Sequence, residues 1–403
     1  MAGYDFDSPV ERRGTNSIKW SHGEGGSDWV PNDNRAGAPH EESPLPMWLA
    51  DMDFRAAPEI LSALRERVAH GVFGYTHRSA EFDETVAGWA ARRHGWQPPA
   101  DSIIPGSGVM PAINLLIQTF TAPGDGVIVQ PPVFHPIPEA AEYNDRRPVP
   151  SPLIEQDGRY SMDFADLAAK ASDPNTKMWI LCSPHNPVGR VWSRDELAAV
   201  VEICRDNDVL LVSDEIHADL TFSWARFWSV GSVAGDDFDQ FVVCGGPSKA
   251  FNLPGLRFST TIIPDPDLRA RYEVALRNLN ELWGTNILGA TALVAAYTEG
   301  EAWLEALLAY LEGNLEYIQE YLAEKLPMLR LGKPDSLYLA WIDCRRLGLP
   351  GSELTQRLRD AGLWVENGAT YGTAGEGFIR LTYATPRVLV KEALRRLESA
   401  LAR

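Results

Sequence analysis

Lys249 stands in CGGPSKAFNLPGLR, residues 244–257, directly after the apolar run Phe241-Val242-Val243. A strand that runs into a Gly/Pro loop puts the amine at a sheet edge. Partial desolvation and nearby charge there lower its pKa and free a nucleophilic nitrogen suited to Schiff-base chemistry. The same stretch equally suits an exposed loop lysine, so the other polar residues have to decide.

Several of them fall at the ends of apolar runs. Asp214 follows Leu210-Leu211-Val212-Ser213, a setting that buries its carboxylate and calls for a cationic partner, such as a protonated ring nitrogen. His217, three residues on, either touches the same ligand or is a structural histidine. In Pro184-His185-Asn186-Pro187 two prolines hold the Asn186 amide rigidly, as a ligand contact or as a cap on its own turn. Gly106-Ser107-Gly108 precedes an apolar helix predicted over 109–120, beginning at Val109. Its amides make either an anion cradle or a plain turn. Phe134 is placed to stack on a flat ring or to fill the core, and Arg257 follows Lys249 by eight positions. Together these residues match the needs of pyridoxal 5′-phosphate: a lysine for its aldehyde, an acid to keep its ring nitrogen protonated, a donor for its phenolic oxygen, and amides and cations for its phosphate.

The elements that must hold these residues are those of an α/β protein. Short apolar runs at 102–104, 126–129, 178–182, 209–213, 241–244 and 259–263 are expected as buried, mostly parallel strands. Helices at about 58–70, 80–94, 109–120 and 194–206 lie among them, which implies a doubly wound sheet. The expected division is an N-terminal arm over 1–50, with Trp20, Trp29 and Trp48, packing on a small domain; a large domain over 51–290; and a smaller α+β domain over 291–403. The last holds helices near 301–325, 352–361 and 387–402 and strands at 336–342 and 377–382.

Composition narrows the partners. The chain has 403 residues, 45% hydrophobic, enough for a large core, and a net charge of −18 that repels nucleic acid phosphates and anionic membranes. Four cysteines, Cys182, Cys204, Cys244 and Cys344, form no CxxC pair. Neither a disulfide framework nor a zinc site is expected, and no metal is assigned. The N-terminal stretch does not read as a signal peptide or anchor, and no apolar run approaches membrane-spanning length, so a cytoplasmic protein is expected.

SPHNPVGR, SDEIHADL and SKAFNLPGLR, in this order and spacing, resemble the fold-type I pyridoxal-phosphate enzymes of aminotransferase class I/II. The similarity runs from RRGTNSIKW to GFIRL, almost the whole chain. DMDF and HGVFGYTHR look most like the cystathionine β-lyase or C-S lyase branch, of MalY/PatB type. The resemblance implies that Lys249 forms the Schiff base with the cofactor, Asp214 pairs with its ring nitrogen, and Asn186 bonds its phenolic oxygen. His217 takes a place often held by tyrosine, and Phe134 stacks on the ring. Ser107, Gly108, Val109, Ser248 and Arg257 surround the phosphate. It further implies a homodimer in which Tyr75 reaches the site of the other subunit, and that Arg380, with Asn186, binds an amino acid substrate by its α-carboxylate. Gly246 departs from a serine found in many relatives, Phe134 from tyrosine, and Leu381-Thr382-Tyr383-Ala384-Thr385 from the usual Asn-containing run.

The implied reaction is β-elimination from cystathionine or a related cysteine S-conjugate, giving a thiol, pyruvate and ammonia. Amino transfer shares its first steps, and a regulatory protein on the same fold would keep the residues without turnover. Both stay open at the level of sequence.

Overall fold

The computed structural model describes residues 3–20, 43–235, 238–279 and 285–402. Trp29 and the whole stretch 21–42 that links Trp20 to Ser43 lie outside them. In chain order the elements are β1 (Leu45–Pro46), α1 (Pro58–His70), α2 (Ala80–His94), β2 (Ile103–Gly106), α3 (Val109–Phe120), β3 (Gly126–Val129), α4 (Pro136–Tyr143), β4 (Arg147–Pro150), β5 (Ile154–Gln156), β6 (Arg159–Ser161), α5 (Phe164–Ala171), β7 (Thr176–Cys182), α6 (Arg194–Asp206), β8 (Leu210–Asp214), β9 (Phe241–Gly245), β10 (Ser259–Ile262), α7 (Pro266–Asn278), α8 (Ile287–Glu299), α9 (Glu301–Lys325), β11 (Arg330–Leu331), β12 (Leu339–Asp343), α10 (Gly351–Asp360), β13 (Leu363–Trp364), β14 (Glu366–Asn367), β15 (Phe378–Thr382) and α11 (Arg387–Leu401).

Local chemistry sets the helix ends. Ser79 accepts from the Phe82 amide to start α2, and Ser193 and Glu196 form a reciprocal capping box at α6. Left-handed glycines, Gly71 and Gly95, close α1 and α2.

Two compact units result. The larger comprises Ala56–Glu305 and Pro334–Leu337; the smaller comprises Met1–Arg55, Ala306–Lys333 and Tyr338–Arg403. The boundary read at 290 falls inside α8, and the division lies within α9. The expected strand from Ser336 is interrupted, because Leu337 takes a left-handed φ of 77° and Ser336 bridges Thr221. Regular pairing resumes only at Leu339.

The larger unit is built on a seven-stranded sheet in the order β2-β10-β9-β8-β7-β3-β4. β4, β3, β7, β8 and β9 run parallel; the apolar runs of β3, β7, β8 and β9 are buried, as a sheet flanked by helices requires, whereas the edge strand β4 buries only Val149. β10 corrects one expectation: it is antiparallel to both β9 and β2. A short buried run reveals burial but not direction, and no α-helix intervenes between β9 and β10 to carry the chain back for a parallel return.

The smaller unit has a four-stranded antiparallel sheet, β11-β12-β15-β14, and β1 pairs parallel with β13. Its N-terminal stretch is fastened by charge. Asp53, 3% exposed, receives Lys19 Nζ at 2.8 Å, Arg12 Nη1 at 2.7 Å and the Trp20 indole N–H at 2.8 Å.

Candidate active site

The parallel strands deliver their carboxyl ends to one edge of the larger sheet. β2 points the same way, and β10 starts there. Ser107, Gly108 and Val109 follow β2, Phe134 follows β3, Asn186 follows β7, and Asp214 closes β8 with His217 just beyond. Ser248 and Lys249 follow β9, and Arg257 precedes β10. Ligands in open α/β sheets gather at such an edge.

Asp214 is the buried charge of the group, 5% exposed. Burial pushes its carboxyl up to about 6, while the Ile216 amide at 3.2 Å and the Lys249 charge pull it down. In register with it stand Cys182 on β7 and Cys244 on β9. Both thiols are buried, and burial together with the Asp214 charge raises them far above the ordinary thiol range, so they are neutral neighbours.

The β7 loop is held by its own backbone. The Asn186 amide donates to Cys182 Sγ at 3.4 Å, and the Asn186 carbonyl accepts from the Phe134 amide at 3.1 Å, which ties the two loops together. Phe134 is half-buried against the core. His185, fully buried, bonds the Pro132 carbonyl through Nε2 at 2.9 Å, and burial lowers its ring to about 4. It is neutral and structural, while its neighbour Asn186 occupies the site.

Lys249 sits in a tight turn. The Phe251 amide donates to Pro247 O and the Leu253 amide to Ser248 O, both at 2.9 Å. Ala250 and Phe251 are buried, and Phe251 stacks on Trp303 at 5.9 Å. Core packing thus fixes the residues that follow a half-buried amine. Asn252 and Arg257 both take left-handed conformations, with φ of 55° and 48°, as the loop turns back into β10.

The anion cradle is built across β2 and β10. α3 begins at Gly108, which has φ 146° and no capping side chain, and the Gly108 amide donates to Ser259 Oγ at 3.1 Å. A Cβ on Gly246 would lie 3.1 Å from the Ser259 Cα. The backbone therefore approaches closely beside an uncapped helix N-terminus, a fit for a phosphate. Ser259 was not singled out from sequence, because its place depends on an antiparallel pairing that no local motif announces.

His217 is buried and opens the short 3-10 turn Ala218–Leu220. Asp219 anchors that turn to α2, receiving the Trp89 indole N–H at 3.1 Å and His94 Nε2 at 2.8 Å. Burial opposes its charge, yet His94, Arg93 and Trp89 hold the carboxyl below its usual range.

Two further expected residues lie on other elements. Tyr75 is 97% exposed on the loop between α1 and α2. Beside that loop lies a cleft of about 560 Å³, lined by Thr76, Arg78, Phe82, Pro105 and Ile287 among others, which includes neither Lys249 nor Asp214. Arg380 belongs to the smaller unit, on β15, 2% exposed, and is paired with Glu366.

Among the described residues no group of His, Cys, Asp and Glu could hold a metal ion. An amine, a buried carboxylate beside it, a fixed amide and a helix N-terminus suit a flat carbonyl compound with a protonated ring nitrogen and a phosphate.

Residues 49–397 match the family described as aminotransferase class I and II. The chain is 42% identical over 399 residues to cystathionine beta-lyase PatB of Bacillus subtilis, covering 99% of this chain and 100% of that one. Among solved structures, cystalysin of Treponema denticola, which contains a pyridoxal 5′-phosphate cofactor, superposes with TM-score 0.92 at 32% identity over 99% of each chain. A pyridoxal-phosphate-bound C-S lyase of Staphylococcus hominis superposes with TM-score 0.89 at 31% identity, over 100% of this chain and 99% of that one.

Proposed function

The chain belongs to the aminotransferase class I and II family, and from that membership we propose that it is a pyridoxal 5′-phosphate-dependent carbon–sulfur β-lyase acting on cystathionine or a related cysteine S-conjugate. The observation that carries the cofactor reading is the gathering of Lys249, Asp214 and Asn186 at the ends of β9, β8 and β7. Elimination rather than amino transfer is favoured by full-length likeness to a protein named cystathionine beta-lyase and to a C-S lyase.

Pyridoxal 5′-phosphate, when bound, supplies an aldehyde for the substrate amine and a ring that withdraws electrons from the α-carbon. Lys249 would hold that aldehyde, and its Nζ as a free amine would accept the α-proton of the substrate. Asp214, ionised, would keep the ring nitrogen protonated. Asn186 would donate to the phenolic oxygen, Phe134 would pack on the ring, and His217 would border it. Ser107, Gly108, Val109, Ser248 and Arg257 would receive the phosphate, while Arg380 would take the α-carboxylate. Over the whole reaction the Cα–H and Cβ–S bonds break, one water is consumed, and a thiol, pyruvate and ammonium leave.

A second copy of the chain completes the site in this reading by bringing in its Tyr75. The exposure of Tyr75, Val72 and Phe73 on one loop supports such a contact. No described helix is long and apolar enough to cross a membrane.

Purified protein supplied with the cofactor is expected to release pyruvate and thiol from cystathionine without any keto acid. Keto acid-dependent amino transfer with no pyruvate release would replace the lyase reading by a transaminase one. Lys249→Ala is expected to abolish both turnover and the cofactor's visible band, whereas a purely regulatory role would survive it.

A further inference from the structure

Within the smaller unit, one terminal nitrogen of Arg380 is already committed twice. Nη2 donates to the Trp48 main-chain oxygen at 2.7 Å and makes an ion pair with Glu366 Oε2. Glu366 is the register partner of Arg380 across the β14–β15 ladder. Its Oε2 also accepts from the Tyr371 hydroxyl, and the Tyr371 ring lies 5.2 Å from the guanidinium.

A guanidinium offers a carboxylate two forks, Nε with Nη2 and Nη1 with Nη2. Both use the same nitrogen, whose two hydrogens face Trp48 O and Glu366. An incoming carboxylate therefore gains a two-point pair only when one of those acceptors gives way. The Trp48 oxygen is main chain in a buried stretch, whereas Glu366 is a side chain 20% exposed. Glu366 is the acceptor free to swing.

We propose that Glu366 is a specificity-determining residue, an internal competitor for the carboxylate place on Arg380. The inference rests on the reading of Arg380 as the residue that binds the substrate carboxylate. A simple amino acid must displace Glu366 and then leaves two negative charges beside one arginine. A substrate whose sulfur-borne group carries an ammonium offsets the extra charge, so this chain prefers cationic cysteine conjugates to uncharged or anionic ones.

The test compares wild type with Glu366→Gln, both carrying the cofactor. Isothermal titration with 3-(methylthio)propionate, a carboxylate without an amine, is expected to give about tenfold tighter binding to the variant. The ratio of kcat/KM for S-(2-aminoethyl)cysteine over S-propylcysteine is expected to fall about tenfold, carried by KM rather than kcat. Equal or weaker carboxylate binding in Glu366→Gln overturns the proposal, since Glu366 then only orients the arginine. An Arg380→Lys control should lose the binding, and binding that survives it also overturns the proposal, because the probe then sits elsewhere. Should Glu366→Gln fold poorly, Glu366→Asp is read in the same way, with melting temperatures taken with and without the probe; a larger rise than in wild type supports competition. If no cysteine conjugate releases a thiol while the variant still gains carboxylate affinity, the lyase reading and the preference among conjugates fail, and the competition of Glu366 for Arg380 stands.

Discussion

Asp214 and Cys182 are register partners across the β7–β8 ladder, so the buried carboxylate has a neutral thiol beside it instead of a second charge. Among the described residues, Lys249 is the cation whose charge acts on it. The consequence is a pH dependence of known sign. The folded carboxyl titrates at about 6, above its ordinary value, because burial penalises its charge. Below the unfolded pKa both states are protonated and there is no penalty. As pH rises through about 6 the folded state loses about 3 kcal/mol relative to the unfolded one. Cofactor-free Asp214→Asn is therefore expected to melt higher than cofactor-free wild type at pH 8 and equally at pH 4. Adding the cofactor should stabilise wild type more than the variant at pH 8, since a protonated ring nitrogen removes the penalty. A difference independent of pH would show that Asp214 carries no such cost.

Gly246 takes φ 146°, and a Cβ there would lie 3.1 Å from the Ser259 Cα. A serine at this position does not fit this backbone unchanged. Gly246→Ser is expected to lose about 1–3 kcal/mol of stability and to weaken cofactor binding rather than add a phosphate donor. Thermal melts and fluorescence titration with the cofactor would check this; tighter binding at unchanged stability would contradict it.

The residues at the sheet edge were readable because each follows a continuous apolar run, and such runs in parallel sheets end at the same side. That rule placed Asn186, Asp214 and Lys249 at one edge, and their roles there were implied only by the family resemblance. Ser259 and Glu366 did not announce themselves, since each acts through an antiparallel neighbour, and register is invisible in a single strand. Asp53 was hidden for another reason: its partners Lys19 and Arg12 lie more than thirty positions away, and a charged motif reads the same whether solvated or buried. The direction of β10, Ser259-Thr260-Thr261-Ile262, was lost because a short buried strand records burial and not orientation.

The Asp53 hub makes its own prediction. Burial alone would raise its carboxyl, but Lys19, Trp20 and Arg12 hold it below the usual range. A depressed folded pKa gives stability that is present above the unfolded pKa and lost as pH falls through the folded one. Lys19→Met leaves a buried carboxylate with one cation fewer and is expected to cost about 3 kcal/mol. Lys19→Met with Asp53→Asn should cost less than the sum of the single changes. Additive losses in chemical denaturation would mean the pair is not coupled.

Asp219 reaches the site only through the turn that follows His217. Its carboxylate gathers the Trp89 indole N–H, His94 Nε2 and, at 3.7 Å, Arg93 Nε. Asp219→Ala strands the Trp89 and His94 donors in the interior while Arg93 keeps Glu301 and Glu305, whereas Trp89→Phe removes a single donor and keeps the acceptor's other partners. The first change is therefore expected to cost about 3 kcal/mol and the second about 1 kcal/mol from the lost hydrogen bond, beyond what the smaller ring loses in packing. Because Asp219 fastens the turn Ala218–Leu220 to α2, Asp219→Ala should also weaken cofactor affinity more than Trp89→Phe does. Cofactor titrations run beside thermal melts separate the two effects. Equal affinities in the two variants would leave Asp219 a fold-stabilising residue with no hold on the position of His217.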